Sequence, residues 1–252
     1  MYQRDIRAPL PKYNTPEWNT IAKQAERSSV LIFPELFAFH RGLHTLEEFL
    51  SESRFALDWL TKLSGHFPHC SIIGGTVYAK DNDHLYNCIP IFQKEELVAK
   101  YFKRNLYGFE PEFLTAGVSP TEVTINNKNW GFMVCADVLQ PALFGDYPKG
   151  SNIAIPTASP RKSEPIEAQL KRDEEIFGKA SKINSLNLFK CCSVGSIFPK
   201  LSDGKVAELM YQGRSLIASK GKIIARSPNI DWTGFLNYHE DEAISLTEVN
   251  LQ

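Results

Sequence analysis

Short apolar segments alternate with amphipathic segments along this chain, and that alternation restricts the fold more than any other feature of the sequence. Apolar runs of strand length, which are typical of buried strands, occupy residues 29–37, 70–80, 151–159 and 188–198. Apolar positions recur at helical spacing in residues 15–28, 46–67 and 165–186. Strands interleaved with helices predict an α/β fold whose apolar strands are covered on a face by helices.

Capping and turn residues refine these boundaries. Thr15 stands before Pro16, a pair that favours a helix start at that point. Residues 121–135 predict a hairpin that turns near Asn126-Asn127, and residues 214–227 predict another around Lys220-Gly221. Strands are also predicted over residues 85–103, as a pair joined by a polar turn, and over residues 243–251. The charged stretch 171–179 is interpreted as a solvated helix face.

Size and charge limit the partners of the chain. Its 252 residues are enough for one large α/β domain, and no linker or repeat divides residues 1–252. The formal net charge is −1, so no strong field attracts nucleic acid or an anionic membrane. No apolar run approaches the ~20 residues that span a bilayer, and residues 1–14 have no apolar core of a signal peptide.

The cysteines indicate a reduced, cytoplasmic protein rather than a disulfide framework. There are five, an odd number, and none belongs to a C-x-x-C pair. Cys191 and Cys192 lie in an apolar segment and are predicted to be buried. No glycine-rich dinucleotide or phosphate loop is present, so no cofactor is predicted. His40 and His44 have helical spacing, but Gly42 between them argues against a metal-binding helix, and no metal is predicted.

Chemically reactive residues stand at the ends of three apolar segments. Glu35 follows LIFP, Lys103 follows VAKYF, and Cys135 follows GFMV in the stretch GFMVCADVLQP. Alone, the cysteine would be an ordinary small core residue. Side chains at strand ends, however, are well placed to converge on a pocket above a rigid sheet. These residues are therefore the candidates for a catalytic centre.

The short motifs around these residues occur in the order and at the spacing of the motifs of a known family. They are FPE at 33–35, YN at 86–87, YFK at 101–103, Glu110 in EPEFLTAG, CADVLQP at 135–141 and GRSLIASKG at 213–221. The chain resembles the nitrilase superfamily of carbon–nitrogen hydrolases over nearly its whole length. This resemblance implies a four-layer α-β-β-α sandwich, a homodimer or higher homo-oligomer, and a small-molecule amide substrate.

The resemblance also assigns roles. Cys135 is the expected nucleophile, Glu35 the general base, and Lys103 the cation that offsets charge and donates to the oxyanion. The backbone N–H of Ala136 is the other expected oxyanion donor. Glu110 is expected to position the substrate and the lysine, with Glu112 as its rival.

Three further residues complete the expected site. Tyr86 is grouped with the substrate-positioning residues. Arg161, followed by Lys162, is a candidate for binding a substrate carboxylate, with a solvated loop as the alternative. Asp137 is expected to hold the turn behind the nucleophile.

The chain departs from the family pattern at four places. The chain begins MYQRD where the family has an apolar first strand, so that strand is expected to be truncated or absent. Leu139 replaces an arginine four places after the nucleophile. Residues 180–184 keep only the asparagine of the family's helix motif, and Cys192 replaces another asparagine.

The predicted activity is hydrolysis of a small linear amide or N-carbamoyl compound through a cysteine thioester. Two alternatives keep the same triad: transfer of the acyl group to an amine, and hydrolysis of a nitrile. Ala136-Asp137 argues against the nitrile, since nitrile-cleaving relatives often have Trp-Glu there. A non-catalytic binding protein on the same scaffold is the alternative from another class, although such a protein would be expected to lose a member of the triad.

Overall fold

A computed structural model of the chain describes residues 1–3, 10–13, 15–39, 45–159, 165–197, 209–227 and 245–246. The α-helices are α1 (Pro16–Arg27), α2 (Leu46–His66), α3 (Ile166–Asp173) and α4 (Lys179–Ile183). The strands before residue 110 are β1 (Tyr2–Gln3), β2 (Val30–Ile32), β3 (Ser71–Ile73), β4 (Val77–Asp81), β5 (His84–Gln93) and β6 (Glu96–Phe102). The later strands are β7 (Glu122–Ile125), β8 (Lys128–Phe132), β9 (Asn152–Thr157), β10 (Asn187–Cys192), β11 (Val194–Ile197), β12 (Leu209–Gln212), β13 (Leu216–Ser219), β14 (Lys222–Arg226) and β15 (Ser245–Leu246).

The first large sheet is organised around β5. Strand β2 runs parallel to β3, and β3, β4 and β6 all pair antiparallel with β5. Because β6 occupies one edge of β5, β3 and β4 lie one after the other along the opposite edge. The single strand predicted over residues 70–80 is therefore interrupted at Gly74-Gly75, where Gly75 has a φ of 63°.

The second large sheet has the strand order β14-β13-β10-β9-β8-β7. Its three central strands, β8, β9 and β10, are parallel, and an antiparallel hairpin closes each side. The hairpin turns lie at the predicted positions. Asn126, Asn127, Lys220 and Gly221 all have positive φ, which is the backbone conformation that tight two-residue hairpin turns require.

The two sheets pack face to face and each has helices on its outer face. Apolar residues of both sheets fill the space between them, including Ile89, Phe132 and Cys191. Helices α1 and α2 cover the first sheet, and the segment from α3 to α4 covers the second. This arrangement is an α-β-β-α sandwich, so the predicted fold class is confirmed.

Helix starts follow the capping residues in the sequence. The Thr15 side chain accepts a hydrogen bond from the Trp18 N–H, and Pro16 is the first helical residue, as predicted. Helix α2 begins with a capping box, in which the Thr45 side chain accepts from the Glu48 N–H while the Glu48 carboxylate accepts from the Thr45 N–H.

The long helix predicted over residues 165–186 contains an irregularity. A π-helical turn, Glu174–Gly178, separates α3 from α4. The interpretation of residues 171–179 as a solvated face is wrong at three positions, because Asp173, Phe177 and Gly178 are buried. Asp173 forms an ion pair with Lys190 of β10 beneath the helix, at an N–O distance of 3.1 Å.

The short strand β1 lies outside both large sheets. It pairs antiparallel with β15, with Tyr2 opposite Leu246 and Gln3 opposite Ser245. Of the strand predicted over residues 243–251, only β15 falls within the described residues. None of the described helices combines the length and the hydropathy needed to cross a membrane.

Candidate active site

Glu35 lies in a tight turn directly after β2. The next residue, Leu36, has a φ of 57°, and its N–H donates to the Thr76 hydroxyl at 3.0 Å. The Ser193 hydroxyl donates to the Glu35 carbonyl at 3.1 Å. The turn is therefore held by both large-sheet regions, and it buries the Glu35 side chain, which is 3% exposed.

Glycine lets the chain approach this turn closely. A Cβ atom added to Gly75 would lie 2.2 Å from the Pro34 carbonyl oxygen, well inside van der Waals contact. The glycine pair of residues 74–75 thus packs against the backbone that precedes Glu35.

Lys103 follows β6 and is fixed by backbone contacts on both sides. Its N–H donates to the Asn87 carbonyl at 2.9 Å, and its own carbonyl accepts from the Gly117 N–H at 2.8 Å. A Cβ on Gly117 would lie 2.3 Å from the Phe102 carbonyl oxygen, so only glycine permits this approach.

Cys135 lies three residues beyond the end of β8, in a sharp turn rather than on the strand itself. It begins a short 3₁₀ helix, Cys135–Leu139, and has a φ of 40°. A non-glycine residue in this conformation is strained, and such strain often occurs at functional sites. The turn leaves Cys135 partly exposed, whereas the other four cysteines are buried.

Asp137 holds this turn from behind, as expected. One carboxylate oxygen accepts from the Val134 N–H and the Tyr101 hydroxyl, each at 2.7 Å. The other accepts from the Asn105 N–H at 2.6 Å and the Arg104 N–H at 3.1 Å. Burial raises the pKa of Asp137 above its usual value, and these hydrogen bonds oppose that rise. Asp137 therefore ties the nucleophile turn to the loop that follows Lys103.

Two of the strand-end side chains, Glu35 and Lys103, meet Glu110 in a buried ion cluster. The Lys103 Nζ lies 3.0 Å from the Glu35 Oε1, and 3.0 Å and 2.8 Å from the two carboxylate oxygens of Glu110. Glu110 also accepts from the Tyr107 N–H at 2.8 Å. Glu112 is exposed, so of the two candidate glutamates only Glu110 contacts the lysine.

Asn87 is a member of the cluster that the sequence analysis did not assign to the site. Its Nδ2 donates to the Glu35 Oε1 at 3.2 Å and to the Glu110 Oε1 at 2.9 Å. The predicted residue Tyr86 lies on the opposite face of β5, where its ring stacks on Phe102 with centroids 4.2 Å apart. Side chains alternate along a strand, so Tyr86 and Asn87 could not both face the site.

The Glu35 carboxylate also reaches the nucleophile and β9. Its Oε2 accepts from the Ala158 N–H at 2.8 Å. The Cys135 thiol lies near enough to the Glu35 carboxylate and the Ala158 backbone for both to influence its pKa. A base, a nucleophile and a backbone donor therefore lie together, just beyond the end of β9.

The local charges keep Cys135 protonated at rest. Burial, followed by the charge of Glu35, raises the pKa of the Cys135 thiol, and Lys103 and the Ala158 N–H only partly offset these effects. Burial works against the charge of Lys103, but Glu35, Cys135 and Glu110 outweigh it, so the pKa of Lys103 is raised. The resting site thus holds a thiol, an ammonium and carboxylates.

The remaining predicted site residues fall into two groups. Ala136 is buried in the first turn of the 3₁₀ helix, where helix geometry leaves N–H groups without an intrahelical partner, and its carbonyl accepts from the Asn105 Nδ2 at 2.6 Å. Arg161, Lys162, His40 and His44 lie outside the described residues. Within the described ranges, no group of three or more His, Cys, Asp and Glu side chains is arranged to hold a metal ion.

Two of the departures from the family pattern can be located in the structure. Leu139, in place of the usual arginine, is 53% exposed. Cys192 is buried, and its N–H donates to the Ser215 hydroxyl at 2.9 Å. Cys191 is also buried, as predicted, and its thiol contacts the Ile32 carbonyl between the sheets.

Comparison with known sequences gives a partial match. No family model matches the chain. A curated relative, the 2-oxoglutaramate amidase of Bacillus subtilis (strain 168), is 28% identical over 144 residues, which cover 55% of this chain and 55% of the relative. The match thus spans about half the length of that protein.

Comparison with solved structures covers most of the chain. A carbon–nitrogen hydrolase from Helicobacter pylori G27 superimposes with a TM-score of 0.72 and 18% identity, covering 90% of this chain and 83% of that one. A mutant of the Nesterenkonia sp. AN1 amidase, with the acetamide moiety of fluoroacetamide on its active-site cysteine, gives 0.68 and 16%, covering 89% and 84%. These similarities confirm the resemblance to the nitrilase superfamily and show that the chain has its fold.

Proposed function

We propose that this chain is an amide hydrolase that uses Cys135 as nucleophile, Glu35 as general base and Lys103 as the cation that stabilises the oxyanion. The observation that carries the proposal is the position of the Cys135 thiol beside Glu35, where burial and then the charge of Glu35 raise the thiol pKa and the Glu35 carboxylate lies 3.0 Å from the Lys103 Nζ. An amide carbon is a poor electrophile, so its hydrolysis needs both an activated nucleophile and a stabilised oxyanion. The cluster supplies groups for both tasks.

Acylation begins with the thiol rather than a preformed thiolate. As the Cys135 sulfur attacks the amide carbon, Glu35 takes the thiol proton and the carbonyl π electrons move onto oxygen. Lys103 and the Ala136 N–H donate hydrogen bonds to that oxygen. Glu35 then gives its proton to the amide nitrogen, the carbon–nitrogen bond breaks, and ammonia or an amine leaves a thioester on Cys135.

Deacylation repeats these steps with water. Water attacks the thioester carbon and gives a proton to Glu35, while the same donors hold the oxyanion. The carbon–sulfur bond then breaks, Glu35 returns the proton to sulfur, and the carboxylic acid leaves. Each half-reaction restores the charges of the resting site, and no cofactor enters either one.

Charge balance explains the need for Glu35 to hold the proton during each step. With Glu35 and Glu110 both ionised, Lys103 neutralises only one of them, and a thiolate would add another negative charge to a buried space. Transfer of the thiol proton to Glu35 removes a carboxylate charge at the moment when the oxyanion forms. Lys103 is therefore balanced against Glu110 while it stabilises the oxyanion.

The substrate class proposed is a small linear amide or N-carbamoyl compound. The named activity of the Bacillus subtilis relative makes 2-oxoglutaramate a specific candidate, and a carboxylate on such a substrate would be a ligand for Arg161. The resemblance also favours a homodimer. Light scattering should then give twice the chain mass of 28.5 kDa, and a mass of one chain would contradict the dimer.

The experiment is ammonia release from a panel of amides, N-carbamoyl compounds, 2-oxoglutaramate and nitriles. Cys135→Ala is the blank, and Cys88→Ala, which removes a buried thiol on the opposite face of β5, is the matched control. Release from an amide that is lost in Cys135→Ala and kept in Cys88→Ala is the expected result. Release that persists in Cys135→Ala would overturn the proposal.

A second arm separates hydrolysis from acyl transfer. Hydroxylamine is added to the active amide, and hydroxamate is measured beside the free acid. Free acid as the main product without hydroxylamine supports a hydrolase. Product formed only when an amine acceptor is present would favour the acyltransferase alternative.

A further inference from the structure

We propose that Asn87 is a positioning residue that clamps the carboxylates of Glu35 and Glu110 together and so leaves a Lys103 N–H for the substrate oxygen. The inference rests on the proposed function, because it concerns the same catalytic site. Its starting point is the location of Asn87, which is fully buried on the inner face of β5 between the two carboxylates.

The four groups form a closed ring of hydrogen bonds. The Asn87 Nδ2 lies 3.2 Å from the Glu35 Oε1 and 2.9 Å from the Glu110 Oε1. The Lys103 Nζ lies 3.0 Å from each of the same two oxygens. The amide and the ammonium thus bridge one pair of oxygens from two sides, and that pair cannot move apart without breaking bonds to both donors.

Counting donors shows what Asn87 adds. An asparagine amide has two N–H donors, and both point to carboxylates here, whereas a lysine ammonium has three. The outer oxygens of the carboxylates accept from backbone groups, Ala158 N–H for Glu35 and Tyr107 N–H for Glu110, each at 2.8 Å. The Lys103 Nζ also lies 2.8 Å from the Glu110 Oε2, so one of its donors is shared between the two Glu110 oxygens and a second bonds Glu35. With Asn87 and the backbone sharing the carboxylates, Lys103 can direct its third donor at the oxyanion.

The carbonyl oxygen of the Asn87 side chain indicates that the orientation of this amide serves the catalytic site rather than packing. Its Oδ1 is buried and has no hydrogen-bond donor among the described residues. A buried acceptor without a partner is unfavourable, and reversing the amide would place that oxygen against two carboxylates, which is worse. The same face of β5 continues with Ile89 and Ile91, so packing alone would be served by an apolar residue.

Among the described residues, the charged and titratable groups that interact with the two carboxylates include Lys103 after β6, Cys135 after β8, Tyr78 on β4 and Tyr211 on β12. Burial first, and then the carboxylates, raise the pKa values of Tyr78 and Tyr211. Both phenols therefore stay neutral in acid, and a change at low pH reports the carboxylate pair.

The test compares Asn87→Leu with Asn187→Leu. The control makes the same change at the start of β10, where the Asn187 side chain bonds Asn152 and Ser219 rather than the cluster. Losing a donor to a carboxylate favours its protonated form, so the acidic limb of kcat/KM should move by about one pH unit towards higher pH. kcat should fall about 10-fold to 100-fold while KM changes less, as expected for hydrogen bonds to charged groups.

A second readout does not depend on the substrate. The rate of Cys135 alkylation by chloroacetamide, measured peptide by peptide across pH, should show its low-pH inflection displaced in the same direction in Asn87→Leu only. If the wild-type protein hydrolyses no amide, the proposed function fails, yet this displacement would still support the clamp. An unchanged inflection in folded Asn87→Leu overturns the clamp even when the wild type is an active amidase.

Asn87→Asp is the second variant, in case the leucine variant does not fold. It keeps the size of the side chain but brings a third carboxyl group to the pair, which can donate only when protonated. The displacement should then be larger than in Asn87→Leu. A folded Asn87→Asp protein with wild-type pH profiles would also overturn the proposal.

Discussion

Two buried lysine–carboxylate clusters lie in different parts of the molecule, one at strand ends of the first sheet and one on the outer face of the second sheet, and only the first has a reactive thiol beside it. The inner cluster consists of Glu35, Lys103 and Glu110, with Asn87 between the carboxylates. The outer cluster consists of Asp173, Lys190, Arg214 and Arg226 beneath the π-helical turn. The lysine–carboxylate distances are nearly equal, 3.0 Å for Lys103–Glu35 and 3.1 Å for Lys190–Asp173.

Charge balance and access distinguish the clusters. In the inner one, two carboxylates share one lysine, and one of them, Glu35, lies beside a partly exposed thiol. In the outer one, three cations surround Asp173, and Lys190 also packs 5.1 Å from the centre of the Phe177 ring. A buried ion pair therefore does not by itself indicate catalysis. A reactive group that needs a proton acceptor, placed beside an excess of carboxylate, is the informative combination.

Replacing the lysine of each cluster should give the largest contrast. Lys103→Met removes an oxyanion donor and the only cation between Glu35 and Glu110 in the described site, so kcat/KM for the active amide should fall about 1000-fold. Lys190→Met leaves Asp173 with its arginines, and activity per folded molecule should stay within about threefold of wild type. Steady-state assays on protein corrected for folded fraction check both. Comparable losses of activity would contradict the distinction.

Removing the carboxylate of the outer cluster should affect stability instead. Asp173→Asn leaves Lys190, Arg214 and Arg226 without a buried counter-charge, so the free energy of unfolding should fall by about 3 kcal/mol. Urea denaturation followed by circular dichroism measures this change. An unchanged unfolding midpoint, or a loss of kcat in the folded variant, would show that the outer cluster has another role.

The glycine contacts around the inner cluster offer a smaller test. Gly75→Ala adds a Cβ that would lie 2.2 Å from the Pro34 oxygen at a φ of 63°, so the Glu35 turn must shift. A displaced catalytic group should lower kcat about 10-fold to 100-fold. Gly145→Ala is the matched control, because nothing lies within 4 Å of the added Cβ. Equal kinetics in the two variants would mean that the Glu35 turn tolerates the shift.

Alkaline pH should produce the smallest of these effects, a decrease in folding stability. Burial raises the pKa values of Cys70 and Cys88 from the usual thiol value of 9.0 to about 12. Above pH 9 the unfolded chain releases protons that the folded chain retains, so stability falls as pH rises, by about 1.4 kcal/mol per thiol at pH 10. Urea midpoints at pH 8 and pH 10 measure the fall. Cys88→Ala should reduce it, and an undiminished fall would assign it to other groups.

The sequence predicted those features that depend on local chemistry. Thr15 with Pro16 marked the start of α1, and Asn126-Asn127 marked a hairpin, because caps and turns require particular side chains or positive φ. Glu35, Lys103 and Cys135 were proposed as site residues because each follows an apolar segment and also belongs to a motif of the family that the chain resembles. That residues 1–252 form one domain in the cytoplasm stays a prediction.

The features that the sequence did not reveal depend on long-range contacts. Tyr86 was assigned to the site and Asn87 was not, although the period of two along β5 shows that only one of them can face the site. The register of Asn87 comes from pairing with β4, where it lies opposite Tyr78. Asp173 was assigned to solvent because its partner Lys190 lies 17 residues away on β10. The break at Gly74-Gly75 follows from the approach of the Pro34 carbonyl, which no local pattern indicates.

The most direct test of the account is mass spectrometry of the protein quenched with acid during turnover of the active amide. An acyl group bound to the peptide that contains Cys135, and absent after turnover is complete, is the predicted result. The adduct should form in the Cys88→Ala control and fail to form in Cys135→Ala. Turnover without any adduct on Cys135, or an adduct on another residue, would contradict catalysis by this cysteine.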